Sequence, residues 1–158
     1  MSPSAADVGH LAVAFGLTYA LGFERELRGG GAGDRVFSLI GLGSGLLGII
    51  AIHTAATALT GAITGIGFIG AGLVFRQVAG GEQVVKGITT AAALFAAAGI
   101  GAAAGEGRLL PALVATALAI VALEVRFVRA LSMLDARRWA DKFGNDEAPV
   151  RRTRRGGG

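Results

Sequence analysis

Five long apolar runs alternate with short charged segments along the chain. They cover Ala6–Phe23, Val36–His53, Thr57–Phe75, Ile88–Gly105 and Leu109–Val125. Each is about 17–19 residues long, at the short end of what a helix needs to cross the hydrocarbon core. A backbone in hydrocarbon must satisfy its own N–H and C=O groups, so helices are the expected form. The pattern predicts an all-α fold: a polytopic membrane helical bundle of about five transmembrane helices. Spans this short imply little tilt or a locally thin bilayer. The transmembrane domain is placed at residues 1–130. A cytoplasmic basic tail follows at 131–158, an amphipathic helix and then disorder. The first run does not read as a signal peptide: nothing basic precedes it, and Glu24-Arg25-Glu26 follows it where a small-residue cleavage site would stand.

The third run carries no charge, yet glycine stands at 61, 65, 67, 70 and 72. In a soluble helix each glycine costs about 1 kcal/mol against alanine. In lipid the non-helical alternatives are worse, because an unpaired backbone group there costs several kcal/mol. Glycine then has a use, since it lets helices approach closely. Gly61 and Gly65 are four residues apart, and Gly72 shares their face. Gly41, Gly45 and Gly48 repeat the pattern in the second run, and Gly101 and Gly105 in the fourth. Such faces join helices within one chain or between chains, as in a homo-oligomer. Gly65-Ile-Gly67-Phe-Ile-Gly70 also fits G-x-G-x-x-G. That fingerprint needs a strand before it, a helix after it and an acid about 20 residues on. The flanks here are membrane-like, so the nucleotide reading falls away.

Composition agrees with lipid. The chain is 53% hydrophobic and 16% charged, with a mean hydropathy of +0.61. A soluble domain is usually about a quarter charged. With no cysteine, a disulfide framework or thiolate metal site is excluded. All 15 basic residues except Arg108 lie in the segments after the first, third and fifth runs. The positive-inside rule then puts the N-terminus outside and the C-terminus in the cytoplasm of a multi-pass bacterial inner-membrane protein. An odd number of spans is what that requires. The basic pI of about 10.6 is thereby a topology signal rather than a sign of nucleic-acid binding. A soluble helical bundle would leave this alternation of loop charge unexplained.

Chemistry-bearing residues are few. Glu24-Arg25-Glu26-Leu27-Arg28 closes the first run. The simpler reading is an interfacial charge cluster, which its place at the membrane edge favours. In the sharper one, Glu24 points into the bundle and pairs with Arg35 or Arg76, because a carboxylate near hydrocarbon needs a partner. Thr89 and Thr90 open the fourth run after Lys86-Gly87. They suit a helix cap, with anion binding at the helix start as the second use. His10 and His53 are too few for a metal site, which takes three or four ligands. Glu124 reads as a solvated carboxylate ending the fifth run. Met133, Leu134, Trp139 and Phe143 among Arg137, Arg138 and Lys142 suit an amphipathic helix on the inner leaflet. No nucleophile–base pairing, phosphate loop or cofactor motif is present, so no enzyme is expected.

Four blocks in order then carry a resemblance: Leu21-Gly-Phe-Glu-Arg-Glu-Leu-Arg-Gly29, Gly33-Asp-Arg35, Gly65-Ile-Gly-Phe-Ile-Gly-Ala-Gly72 with Arg76, and Lys86-Gly-Ile-Thr-Thr-Ala-Ala92. Over about Gly9–Arg126 the chain resembles the MgtC/SapB family of bacterial inner-membrane proteins. The resemblance implies a five-helix membrane domain and a link to magnesium limitation and stress adaptation. It also implies, for some members, a restraining contact with the F-type ATP synthase. By position it picks out Glu24, Arg25, Arg28, Arg35, Arg76, Thr89 and Thr90 as functional candidates. It picks out Gly65, Gly67, Gly70, Gly72 and Gly87 as well, which with Gly61 make up the helix-packing candidates. The chain departs from the family at Ala93-Leu94-Phe95, where Thr-Leu-Trp is common, and at Val36-Phe37. The expected function is a non-enzymatic regulator linked to magnesium homeostasis through membrane partners. The alternative is a magnesium transporter or channel using Glu24 with Thr89 or Thr90.

The topology is directly testable. A reporter fused after Gly158 should be active in the cytoplasm, and one placed beside Arg108 in the periplasm.

Overall fold

A computed structural model describes residues 4–53, 57–79 and 82–125. Its elements run α1 Ala5–Leu27, α2 Asp34–His53, α3 Thr57–Leu73, β1 Phe75–Ala79, β2 Glu82–Lys86, α4 Ile88–Gly105 and α5 Leu109–Glu124. The chain divides into one unit from Met1 to Ala122 and a second from Leu123 onward. Only Leu123–Val125 of the second unit are described, so the expected amphipathic helix and Trp139 lie outside the described residues.

Local signals explain the helix ends. Ser4 caps α1 in a reciprocal box: the Asp7 amide donates to Ser4 Oγ at 3.1 Å, and the Ser4 amide donates to Asp7 Oδ2 at 2.9 Å. At the other end Arg28 is the C-cap, and Gly29 follows at φ +67°. That left-handed step is one that glycine takes without a Cβ penalty. Gly87 opens α4 at φ +91°, and the carbonyl of Leu73 lies against its Cα where a side chain would collide.

The core is a three-helix contact of α1, α2 and α4, with α3 packed on α4 and more lightly on α2. Its closest seam joins two backbones. A Cβ added to Gly101 would lie 2.5 Å from the Gly41 carbonyl oxygen and 2.9 Å from the Gly41 Cα. One added to Gly105 would collide with the Gly45 carbonyl, and one on Gly48 with that of Ala102. Gly41 meets Gly101 and, one turn on, Gly45 meets Gly105, so α2 and α4 run parallel. Against α1, Gly41 receives Thr18, Gly45 receives Ala14, and Gly22 of α1 lies against Asp34 and Phe37. There the numbers run in opposite senses, so α1 is antiparallel to α2. These directions match the alternating crossings read from loop charge.

Few large side chains are fully buried: Phe37, Leu21, Leu94 and Thr18 are the main ones. Alanines and glycines fill the rest. Phe68, by contrast, is 83% exposed and Leu39 68%. Phe15, Tyr19 and Phe23 stack along the outside of α1. An outward surface this apolar suits lipid and not water. Hydroxyls inside the helices are satisfied locally: Thr18 donates to the Ala14 carbonyl at 2.7 Å, and Thr116 to that of Ala112 at 2.9 Å.

One expectation needs correcting. The third run ends as helix at Leu73, not Phe75, and the charged segment after it is an antiparallel hairpin. Phe75 faces Lys86, and the pairing runs to Ala79 with Glu82. Val78, Val84 and Val85 favour strand over helix. Among the described residues α1, α2 and α4 are long and apolar enough to cross a membrane by length and composition, and α3 and α5 are shorter apolar helices. α3 has 17 residues and α5 has 16. Sixteen residues rise roughly 24 Å, short of a core of about 30 Å.

The seam gives a paired prediction. Gly105→Ala should destabilise the detergent-solubilised protein by about 1–3 kcal/mol through overpacking. Gly99→Ala, which meets nothing within 4 Å, should be neutral or stabilise by up to about 1 kcal/mol. Thermal or denaturant unfolding followed by circular dichroism reads both.

Candidate functional site

One end of the bundle gathers the close of α1, the glycine turn 29–33, the start of α2 and the start of α4. At α1's close the Gly30 amide donates to the Arg25 carbonyl at 2.8 Å, folding the chain back over the last helical turn. Gly30 has no room for a side chain: an added Cβ would lie 3.0 Å from the Arg25 carbonyl oxygen and 3.4 Å from Thr90 Oγ1. The turn thus brings α4 against α1. Gly33 is covered by the Glu26 carboxylate, and α2 begins at the next residue.

Glu24 and Arg25 are both buried, at 8% and 7% exposure. Neighbours on a helix diverge by about 100°, yet here both side chains turn inward and meet. Arg25 Nε donates to Glu24 Oε2 at 2.5 Å, and Nη2 donates to Oε1 at 2.7 Å. This is a two-pronged, charge-assisted pair. Arg28 Nε stands 4.0 Å from the same carboxylate. Burying a lone charge is prohibitive, whereas a paired one is tolerated. Glu24 does point into the bundle, but its partner is Arg25, with Arg28 nearby, and not Arg35 or Arg76.

The other candidates fall around this pair. Thr90 is buried beside Gly30, whereas Thr89 is exposed. Neither threonine caps α4, whose N-cap Gly87 has no side-chain hydrogen bond. Arg35 is exposed on the first turn of α2, where its amide donates to Asp34 Oδ1 at 2.6 Å. Asp34 there complements the helix dipole. Arg76 sits in β1 opposite Val85. The His10 ring lies over Gly107. His53 ends α2, and its side chain falls outside the description. Among the described residues no group of three or more His, Cys, Asp or Glu side chains is placed to hold a metal ion.

The glycine candidates divide sharply. Gly70 packs on Ala91, with a prospective Cβ contact of 3.5 Å. Gly87 serves the turn into α4. Among the described residues, a Cβ at Gly61, Gly65, Gly67 or Gly72 would meet nothing within 4 Å. Beside Gly65 an apolar groove of about 270 Å³ opens between α2 and α3, lined also by Ile40, Ser44, Leu47, Ile66 and Ile69. Gly30 and Ser44 were not singled out by sequence reasoning. The run Gly29-Gly30-Gly31-Ala32-Gly33 held the signal for Gly30, because such density of glycine between helices marks a tight return. Ser44 gave no signal of its own.

The arrangement offers a neutralised buried ion pair, a threonine hydroxyl at an uncapped helix start, and a bare glycine face in lipid. None of these is a nucleophile with its base.

Comparison with known proteins places the chain. The profile of the MgtC family matches residues 11–130. A protein of Escherichia coli K12 named "Putative magnesium transporter YhiD" is 35% identical over 119 residues, covering 67% of this chain and 54% of the relative. "Protein MgtC" of Brucella abortus is 34% identical over 145 residues, covering 87% of this chain and 59% of the relative. An uncharacterised Haemophilus influenzae protein is 31% identical over 119 residues, covering 66% of this chain and 49% of the relative. The chain spans about half to three-fifths of the length of these relatives. No solved structure matches. With the profile running from α1 through α5, this membrane protein belongs to the MgtC family.

Proposed function

We propose that this chain is a multi-pass protein of the bacterial inner membrane that regulates magnesium homeostasis or stress adaptation without catalysis, through contact with a membrane-protein partner. The observation that carries the reading is the bare glycine face of α3. In lipid, small residues exposed along a helix leave the backbone open to close approach by another helix. The glycines of α2 and α4 use that property inside the chain, and those at 61, 65, 67 and 72 have it to spare. The groove beside Gly65 extends the same face. A component of the F-type ATP synthase, or a second copy of this chain, is the kind of partner such a face admits.

A magnesium transporter is the competing reading, favoured by the name of the Escherichia coli relative and by a buried carboxylate at Glu24. The geometry weighs against it, because both Glu24 oxygens are engaged by Arg25. A cation would have to displace a bidentate guanidinium.

Gly65→Leu and Gly72→Leu should leave folding intact, since both positions are open, while abolishing partner crosslinking in native membranes and the magnesium-limitation phenotype. Magnesium flux into proteoliposomes of the pure protein, lost in Glu24→Gln, would instead establish transport.

A further inference from the structure

The outer side of α3 carries a knob and a hole. Ile66 and Gly70 are buried, Gly70 against Ala91 of α4. At about 100° per residue, Gly61, Gly65 and Gly72 fall within about 40° of one another, away from that anchored face. Ile69 lies about 60° to one side of the glycine stripe, and Phe68 about 40° to the other. Phe68 is 83% exposed, more than any other large apolar side chain described. The Ile69 flank instead opens into the groove of about 270 Å³, walled by Gly65, Ile66 and Ile69 and by Gly43, Ser44 and Leu47 of α2. An apolar cavity of about 150 Å³ already admits a benzene ring.

The groove holds one polar group that lacks a partner. Thr18, Ser38, Thr64 and Thr116 each donate to a carbonyl three or four residues back. Ser44 is only 4% exposed, yet among the described residues it makes no hydrogen bond. No fully enclosed side-chain oxygen or nitrogen lacks a partner, so its hydroxyl opens into the groove it lines. A donor left open in an otherwise apolar groove calls for an apolar occupant with an acceptor. The negative face of an aromatic ring is one.

Two copies of one chain sit in the membrane with the same orientation, so a two-fold axis relating them runs along the membrane normal. Rotation about that axis preserves depth. When two α3 helices meet stripe to stripe, it sets the Phe68 flank of each against the Ile69 flank of the other. Phe68 and the groove residues Gly65 and Ile69 lie within about one helical turn, and so at one depth. A knob and a hole at equal depth on opposite flanks of a bare stripe are what a self-complementary contact requires. An unrelated helix would need the stripe alone and would leave Phe68 without a use.

We propose that the chain pairs with a second copy of itself through α3. Gly61, Gly65 and Gly72 lie at the two-fold axis, and each copy's Phe68 is seated in the other's α2–α3 groove, its ring over Ser44. This pairing rests on the reading of the α3 face as a contact surface, and it names what occupies that face.

The full chain has no cysteine, so single cysteines report neighbours without background. In oxidised native membranes Gly65→Cys should give a disulfide-linked dimer. Differently tagged Gly43→Cys and Phe68→Cys chains, expressed together, should give a mixed dimer. Phe68→Cys with Phe15→Cys of α1 should not. A Cβ at Gly43 or Gly65 meets nothing within 4 Å and Phe68 is outside the core, so these variants keep the fold. In detergent, energy transfer between labelled copies reads self-association. Phe68→Ala should weaken it about tenfold or more, because each dimer loses two buried anchors. Gly43→Leu, which fills the groove and leaves Phe68 in place, should do the same. A Gly65→Cys dimer without the mixed dimer overturns the seating of Phe68, as does unchanged association in both Phe68→Ala and Gly43→Leu. If a photocrosslinker attached at Gly65→Cys captures only a different protein, self-pairing is overturned while the α3 face stands as a contact surface. Capture of nothing overturns both.

Discussion

The whole arrangement depends on how near two helix backbones can come in a medium that gives no hydrophobic reward for association. Lipid is as apolar as leucine, so close van der Waals contact must hold the bundle together. The seam between α2 and α4 meets that requirement by removing side chains. Gly101 rests on Gly41 and Gly105 on Gly45, one helical turn apart. α1 then adds Ala14 and Thr18 against the same glycines. The conformational cost of glycine in a helix is accepted here because no other residue permits this separation.

The rim follows from the seam. With α2 parallel to α4 and antiparallel to α1, the close of α1 and the starts of α2 and α4 fall at one end. Glycine again sets the spacing, at Gly22 against Asp34 and at Gly30 against Arg25 and Thr90. What gathers there is charged, and it must be neutralised as it is drawn out of water. The Glu24–Arg25 fork does this within two adjacent residues. A self-contained pair of this kind holds α1's end together and leaves Arg35, Lys86 and the start of α4 outside it.

Much of this was legible in the sequence. Apolar runs bounded by charge gave five helices in their observed places, because hydrocarbon permits few alternatives to a helix. The glycine spacing of the second and fourth runs marked a close seam, although spacing by itself could not say whether the seam lay within the chain. Glu24's inward turn was open to reasoning from the cost of a lone carboxylate; its partner was not. Adjacent helical residues are expected to point apart, and Arg25 overturns that only by bending a long, flexible side chain. The hairpin at 75–86 was hidden behind its charges, since Arg76, Glu82 and Lys86 read as loop while alternation in a five-residue strand is a weak signal. Thr90 looked like a cap because caps are what threonines at helix starts usually are, and only the position of Gly30 shows that its hydroxyl faces elsewhere.

The parallel pairing of α2 with α4 also bears on how the protein is made. While α4 is still unmade, Gly41 and Gly45 of α2 have α1 against them but not their second neighbour. Their second neighbour is synthesised only after α3 and the hairpin have followed. Until then the close seam of α2 is incomplete. The order of the elements thus makes the α1–α2 contact available before the α2–α4 seam, which has to wait for residues 57–105.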